Sequence, residues 1–583
     1  MKLYLSLSLA FFSCIAAESA GSALYDAVIV GGGPAGLVLA SRLSENPNFK
    51  VLLIENGPDT YINETVTTPR FAGQLQGTQF SWNFTSVPQA TLNGAAPPLH
   101  QGNGLGGGTA INIMAYCRGS SSVFDEWANI SGIDGLRWDN LVHYFEKSTN
   151  LFVPPDLDYD QVIDKTKFGN YHVDVGYESN SQRSIIDNSF VDTWISNGAE
   201  DADFSAGKGI GMLIGGPHSI NHFNGTRSYA LPAYGFQLAG RSNVELIRGR
   251  AIKVNFEGTK AIGVDYVHVS NNTTHTIRSN ETIISAGAVN SPRLLLLSGV
   301  GPKTDLLSLG IPVVVDNPEV GLNFFDHHYI VMMFNATPNI ITSTQLQDPT
   351  ILAPFLAEYK ENGTGPLSTT GSSSFFAERL SDEILDSFGV NVDFHKNLPK
   401  DRPHLLYQWS STAMLPAPNS SNTISIHSAL VQPETPGSIR LNSSDWRDDP
   451  LLYSNYFGSE GDFAIALYGY KRLISMMRSS TMQPVVVNEV YPGSNVTSDA
   501  DITAAFMEAA RSFHHPIGTN SLGKVLDQSF RVKGAQNLRV IDSSAIPRLP
   551  TCHLQSSVYA FAEFASTILK DELYEVSRSK DIR

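Results

Sequence analysis

The chain is poor in several features that mark other protein classes. Cysteine occurs only three times in 583 residues. Cys14 lies in the N-terminal leader described below, and Cys117 and Cys552 are too few for a disulfide framework. The fold is therefore expected to rest on core packing, helped by any large bound ligand. No His, Cys, Asp or Glu spacing matches a metal site. Charged residues are only 16%, and acids outnumber bases to a net charge of −16. That balance argues against nucleic acid and anionic membrane surfaces as partners. Beyond the N-terminus no apolar run is long enough to span a bilayer. There is no internal repeat. What remains is a hydrophobic content of 42% in a long chain, enough for a large core in more than one domain or in one elaborated domain.

The leader starts with one positive charge at Lys2, continues as a short apolar run and ends in small residues. It reads as a secretory signal peptide over residues 1–19, too short for a comfortable membrane anchor. Asn-x-Ser/Thr sequons occur at Asn63, Asn83, Asn129, Asn224, Asn271, Asn272, Asn280, Asn335, Asn362, Asn419, Asn442 and Asn495. This density agrees with a secreted chain bearing N-glycans. Lys570-Asp-Glu-Leu573 is internal, so it is not expected to act as a retention signal.

The chain is organised around Asp26-Ala-Val-Ile-Val-Gly31-Gly-Gly33-Pro34-Ala-Gly36, followed by an apolar helix and by Val51-Leu-Leu-Ile-Glu55. Val28 to Val30 suit a buried parallel strand. Gly31, Gly33 and Gly36 have the spacing of a dinucleotide-binding turn: a tight bend, a close approach to pyrophosphate, and close helix–strand packing. Glu55 ends the second strand, where a carboxylate can accept hydrogen bonds from a ribose. With 48 glycines such spacing arises by chance roughly 0.3 times per chain. Gly102, Gly104 and Gly107 also fit it, with no strand expected before them. Strand, turn, helix, strand and acid in register are what set the first copy apart.

Pro69 to Pro98 reads as mostly loop, and Pro338 to Gly371 as an irregular insertion suited to a lid or to plain surface. Asn243–Ile247 and Ala261–Val267 read as strands, and Phe463–Met477 as a core helix. The tail after Lys570 reads as a charged, disordered end.

A second glycine-rich stretch, Gly102-x-x-Leu105-Gly106-Gly107-Gly108-Thr109-x-Ile111-Asn112-x-x-x-Tyr116-x-Arg118-Gly119, closely resembles the first signature of the glucose–methanol–choline (GMC) flavoprotein oxidoreductases. Ser285 to Gly301 resembles their second signature, and Gly225–Tyr234 and Val320–His327 resemble further family blocks. Among relatives, the chain is most similar to fungal enzymes of the aryl-alcohol oxidase and patulin synthase type. The resemblance implies an α/β fold: a Rossmann-like FAD-binding domain on a parallel sheet and an α+β substrate domain on an antiparallel sheet. Residues 24–150, 215–318 and 520–571 would form the first, 151–214 and 319–519 the second, and 572–583 a charged tail.

The resemblance also implies the site. Gly31, Gly33, Pro34, Gly36, Glu55 and Asn56 fall to the ADP half of FAD. Gly106, Gly107, Gly108 and Thr109, with Asn112, Ile113, Met114 and Ala115, fall to the pyrophosphate and the flavin ring. The backbone of Ile252 would meet the adenine, Asp542 the ribityl-phosphate part, and Leu554, Gln555 and Ser556 the pyrimidine edge. In Phe513-His514-His515-Pro516 the family pattern makes His515 the catalytic base, and His553 its partner. Alcohol oxidation removes a hydride, which the flavin takes, and a proton, for which imidazole is suited. Ile111 stands where some relatives carry a flavin-linking His, so the FAD is expected to be non-covalent. Ile113 and His514 replace aromatic residues of aryl-alcohol oxidases, leaving the aromatic cage partly missing. His514 itself would be a third polar contact or face away.

The expected activity is oxidation of a small primary alcohol or hemiacetal, aryl or from secondary metabolism, with O2 or a quinone as electron acceptor. A non-redox cyclase of the versicolorin B synthase type is the alternative. A flavin-free binding protein fits poorly with intact phosphate-loop glycines.

Overall fold

The computed structural model describes residues 24–156, 172–179, 183–416 and 422–581. The leader and the Asn419 sequon lie outside them.

Two sheets carry the molecule. In the first, Val244–Glu257, Val51–Glu55, Leu24–Val30, Thr274–Ile284 and Leu538–Val540 lie side by side in parallel. Lys260–His268 pairs antiparallel with the outer parts of Val244–Glu257 and Thr274–Ile284. Val28, Ile29 and Val30 sit opposite Leu52, Leu53 and Ile54 on one side and Thr282, Ile283 and Ile284 on the other, all buried. This is the continuous apolar register of a strand covered on both faces. The helix Pro34–Leu43 follows with Pro at its first turn. It packs on the long last helix, Gln555–Asp581, where Arg42 meets the buried Glu563 at 2.7 Å.

The second sheet is antiparallel, ordered Val486–Tyr491, His328–Ala336, Thr423–Leu430, Leu405–Ser410, Phe375–Glu378 and Gly211–Leu213. Ala510–Ser512 pairs with the start of His328–Ala336. The helix Glu460–Met477 crosses its back and buries Ile465, Leu473 and Met477. Its apolar spacing was legible in the sequence.

Several expectations are corrected. The stretch before Pro98 contains the strand Ser81–Thr85, which pairs with Pro98–Gly102, so the second glycine turn does follow a strand. Pro-Leu-His-Gln-Gly has no β pattern of its own; the hairpin partner supplies its pairing. The irregular insertion contains the helix Pro349–Asn362, capped by Asp348 and closed by Gly363 at φ 69°. Its internal Pro354 and its lack of buried residues removed the periodic signal. The charged end, as far as Asp581, is part of the last helix, and Glu572 bridges Arg531 and Arg539. Cys117 and Cys552, finally, are joined in a disulfide with Cα atoms 6.0 Å apart. The count of two cysteines was no guide, because the fold brings together positions 435 residues apart.

Candidate active site

A cavity of about 510 Å³ runs from the first glycine turn to the antiparallel sheet. Its phosphate end is built as the glycine spacing requires. A Cβ on Gly36 would lie 1.9 Å from the Gly31 carbonyl oxygen, so this glycine serves helix–strand packing rather than the cavity wall. Gly33 is the opposite case: the nearest heavy atom to an added Cβ is 4.0 Å away, and the residue borders the cavity with Gly31 and Pro34. A side chain there would occupy space that a pyrophosphate needs. Glu55 and Asn56 also line the wall; Glu55 accepts from the backbone N–H groups of Gly32 and Gly57, both at 2.7 Å.

The second loop touches the first. Gly107 and Gly108 border the cavity, and Gly106 packs instead under the Tyr229 ring. Thr109 lines the wall within a single helical turn, Gly108–Ile111. Asn112 is held by Arg227, whose Nη1 donates to its carbonyl and side-chain oxygens, each at 2.7 Å. Ile113, Met114 and Ala115 continue the wall.

Three expectations shift here. Gly249, Arg250 and Ala251, not Ile252, line the cavity, and the strand bulges just beyond them, between Ala251 and Lys253. Asp542 lines the wall, but its two oxygens already accept from Gly287 N–H, the Ser291 hydroxyl, and the N–H and hydroxyl of Ser544. It orders the loop ahead of the Gly287–Leu297 helix rather than presenting a free carboxylate. Leu554 and Gln555 line the cavity, whereas the Ser556 hydroxyl is spent on the Cys117 carbonyl. Gln555 Nε2 donates to the Ala115 carbonyl at 2.8 Å.

At the other end the two predicted histidines meet. The rings of His515 and His553 lie 5.2 Å apart and perpendicular, at 88°. His553 Nε2 is buried and has no hydrogen-bond partner among the described residues. The disulfide joins the residue before His553 to the segment after Ala115, tying this histidine to the second glycine signature. Burial holds His553 down to about 3 and pushes His515 well below the ordinary imidazole range, so both rings are neutral at neutral pH.

The supports of His515 went unassigned at the sequence level. Its backbone N–H donates to Asp326 Oδ1 at 2.8 Å, and Asp326 also accepts from Ser512 and Tyr456. Burial raises Asp326 to about 6. His515 Nδ1 lies 3.0 Å from His327 Nδ1, and His327 Nε2 lies 3.1 Å from the Val431 carbonyl. A carbonyl only accepts, so the proton of neutral His327 is on Nε2 and its Nδ1 is a lone pair. His515 must then donate through Nδ1–H, which leaves its Nε2 as the bare, basic nitrogen. Asp326 and His327 stood in a recognised block without a role. Nothing in their residue types said which partner they would meet.

His514 sits at φ 60°, a strained region for a residue other than glycine. It lines the cavity while its Nδ1 accepts from the His100 N–H at 3.1 Å. The aromatic wall is fuller than Ile113 and His514 suggested. Phe513 stacks on His515 at 5.4 Å and 5°, and Tyr329 lines the same end, 4.5 Å from Phe513.

Comparison with known proteins identifies the family. The GMC oxidoreductase family models match residues 25–329 and 433–562. The chain belongs to the GMC oxidoreductase family. GMC oxidoreductases bind FAD. The open cradle at Gly33, the acid at Glu55 and the paired glycine loops fit that cofactor. A glucose-methanol-choline family oxidoreductase, mfmG, of Annulohypoxylon moriforme is 33% identical, covering 95% of both chains. Pyranose dehydrogenase 3 of Leucoagaricus meleagris is 32% identical, covering 94% of this chain and 92% of its own. A fungal aryl-alcohol oxidase structure superposes with a TM-score of 0.80 at 26% identity, covering 94% and 99%. An Aspergillus oryzae formate oxidase reaches 0.85 at 24% identity over 94% and 98%, a likeness of fold.

Proposed function

We propose that this GMC oxidoreductase oxidises a small primary alcohol, with His515 as base and His553 as its partner. The observation that carries the reading is the perpendicular pair of neutral imidazoles on one cavity wall, 5.2 Å between centroids. FAD, when bound, supplies the acceptor for the hydride. The remaining work belongs to the chain. The bare Nε2 of His515 takes the hydroxyl proton. The unpaired Nε2 of His553 hydrogen-bonds the alcohol oxygen and orients it. Phe513, stacked on His515, limits how far the base can turn. The aryl-alcohol oxidase and pyranose dehydrogenase relatives support an alcohol group as the donor. The cofactor is held non-covalently, since Ile111 offers no atom for a link, and O2 or a quinone takes up the electrons.

The same reading makes the enzyme a secreted glycoprotein. Its support is the sequon set: none of the described sequon asparagines is buried. No helix among the described residues is long and apolar enough to cross a membrane.

The test is His515→Ala. Anaerobic flavin reduction by alcohol should slow by about 10²–10⁴-fold, the range of a lost general base, while the protein stays yellow. A variant that reduces its flavin at the parent rate would remove His515 from the mechanism.

A further inference from the structure

One group on the cavity wall has no part in the proton transfer. His427, on the strand Thr423–Leu430, is buried and lines the cavity, yet neither of its ring nitrogens has a hydrogen-bond partner among the described residues. Directly across the ladder is Gln408, which also lines the cavity. Its Nε2 donates to the Ser372 hydroxyl, and its Oε1 is likewise unpartnered. Cross-strand neighbours share one face of a sheet, so the two side chains project together. The place is next to the chemistry: His427 lies 5.2 Å from the Phe513 ring, which lies 5.5 Å from His553.

Buried polar groups are as a rule satisfied, and leaving them unpaired is costly. A neutral imidazole has one N–H donor and one lone pair. Together with Gln408 Oε1, the wall therefore offers two acceptors and one donor. An ether or carbonyl oxygen on a ligand brings no proton to the acceptors, and a hydrocarbon satisfies none of the three. Hydroxyl groups, which both donate and accept, match the set. The nearby rings of Phe513 and Tyr329 do not oppose this, since the C–H face of a polyol packs on an aromatic ring as well as an aryl group does.

We propose that His427, with Gln408 beside it, is a second polar subsite that binds a further hydroxyl of the substrate, so the substrate class is a polyhydroxylated alcohol, a polyol or a sugar. This rests on the alcohol-oxidation reading and narrows it. A site built for such hydroxyls rejects the analogue that lacks them more strongly than an apolar pocket discriminates by shape.

The experiment uses the FAD-loaded enzyme and its His427→Leu and His427→Gln variants, with D-glucose and benzyl alcohol as probes. Two quantities are read: binding, from the perturbation of the oxidised flavin spectrum, and anaerobic flavin reduction. In the parent enzyme the sugar should bind and reduce the flavin more efficiently than benzyl alcohol. His427→Leu should lower the sugar-to-benzyl-alcohol efficiency ratio at least tenfold, and His427→Gln, which can still donate and accept, should recover part of it. If Leu and Gln leave the ratio unchanged, or if the parent prefers benzyl alcohol, the subsite is refuted while alcohol oxidation stands. If the sugar binds in a His427-dependent way but reduces nothing, the subsite stands and the redox reading falls. Should His427→Leu lose its flavin, Gln408→Leu takes its place: a sugar-to-benzyl-alcohol ratio at least tenfold below the parent's supports the subsite, and a parental ratio refutes it.

Discussion

His327→Leu tests whether the proton position on the base is imposed from behind. In the parent, His327 Nε2–H is committed to the Val431 carbonyl, which makes Nδ1 an acceptor for His515 at 3.0 Å. Between two neutral rings such a bond contributes about 1 kcal/mol; once His515 holds the substrate proton it becomes a bond from a charged donor, worth roughly 1.5–3 kcal/mol. Only the increase accelerates the reaction. That increase is roughly 0.5–2 kcal/mol, which corresponds to a slowing of about 2- to 30-fold in flavin reduction. Leucine fills a similar volume but accepts nothing. His327→Gln has a side-chain oxygen able to accept from Nδ1–H and should restore part of the rate. The assay is anaerobic stopped-flow reduction at saturating alcohol across pH 5–9, with flavin content checked in each variant. Losing the acceptor should also move the acidic limb of the rate profile to lower pH, because the protonated base is no longer stabilised. Equal rates and profiles for the Leu variant and the parent would refute the argument, as would equal damage from Leu and Gln.

Other outcomes follow from the same geometry. Gly33→Ala should fold with a near-parental melting temperature but lose FAD on gel filtration, because its Cβ enters the cradle and meets no protein atom closer than 4.0 Å. Gly36→Ala, whose Cβ would sit 1.9 Å from a backbone carbonyl, should instead cost about 3 kcal/mol of stability or fail to fold, as denaturant titration will show. Replacing Cys117 and Cys552 by Ser should cost about 2–5 kcal/mol and slow flavin reduction through a loosened His553. The reduced parent should resemble the double variant in melting temperature. Stability should also fall as pH drops from 7 to 5. Buried His218, His328 and His404 are held to about 4, and His327, His427, His514 and His553 to about 3. The unfolded chain takes up protons near pH 6.5 that the fold refuses, so the stability present above that pH is lost below it. Glu178, raised to about 8, and Asp326, raised to about 6, oppose this, as do Asp59, Asp187, Glu281, Glu378 and Asp542, but with His100, His172, His222 and His515 the histidines held down outnumber them. A melting temperature that rose on acidification would contradict the burial of these rings.

What the sequence disclosed divides along a physical line. Gly33, Glu55 and the run Val28–Val30 were legible because their roles depend on residues close in the chain: a turn, a helix start and one strand pairing. The bulge at Ile252 went unseen because it is made by two strands together, and no single strand announces it. The helix Pro349–Asn362 escaped notice because helical pattern reports burial, and this helix buries none of its residues. That His515 and His553 meet was legible, but not the tautomer of His515. Whether His515 carries its proton on Nδ1 or Nε2 is decided by the Val431 carbonyl, passed through His327 on another strand edge. A histidine motif can therefore name a candidate base, while the nitrogen left free to take a proton is a property of the tertiary fold.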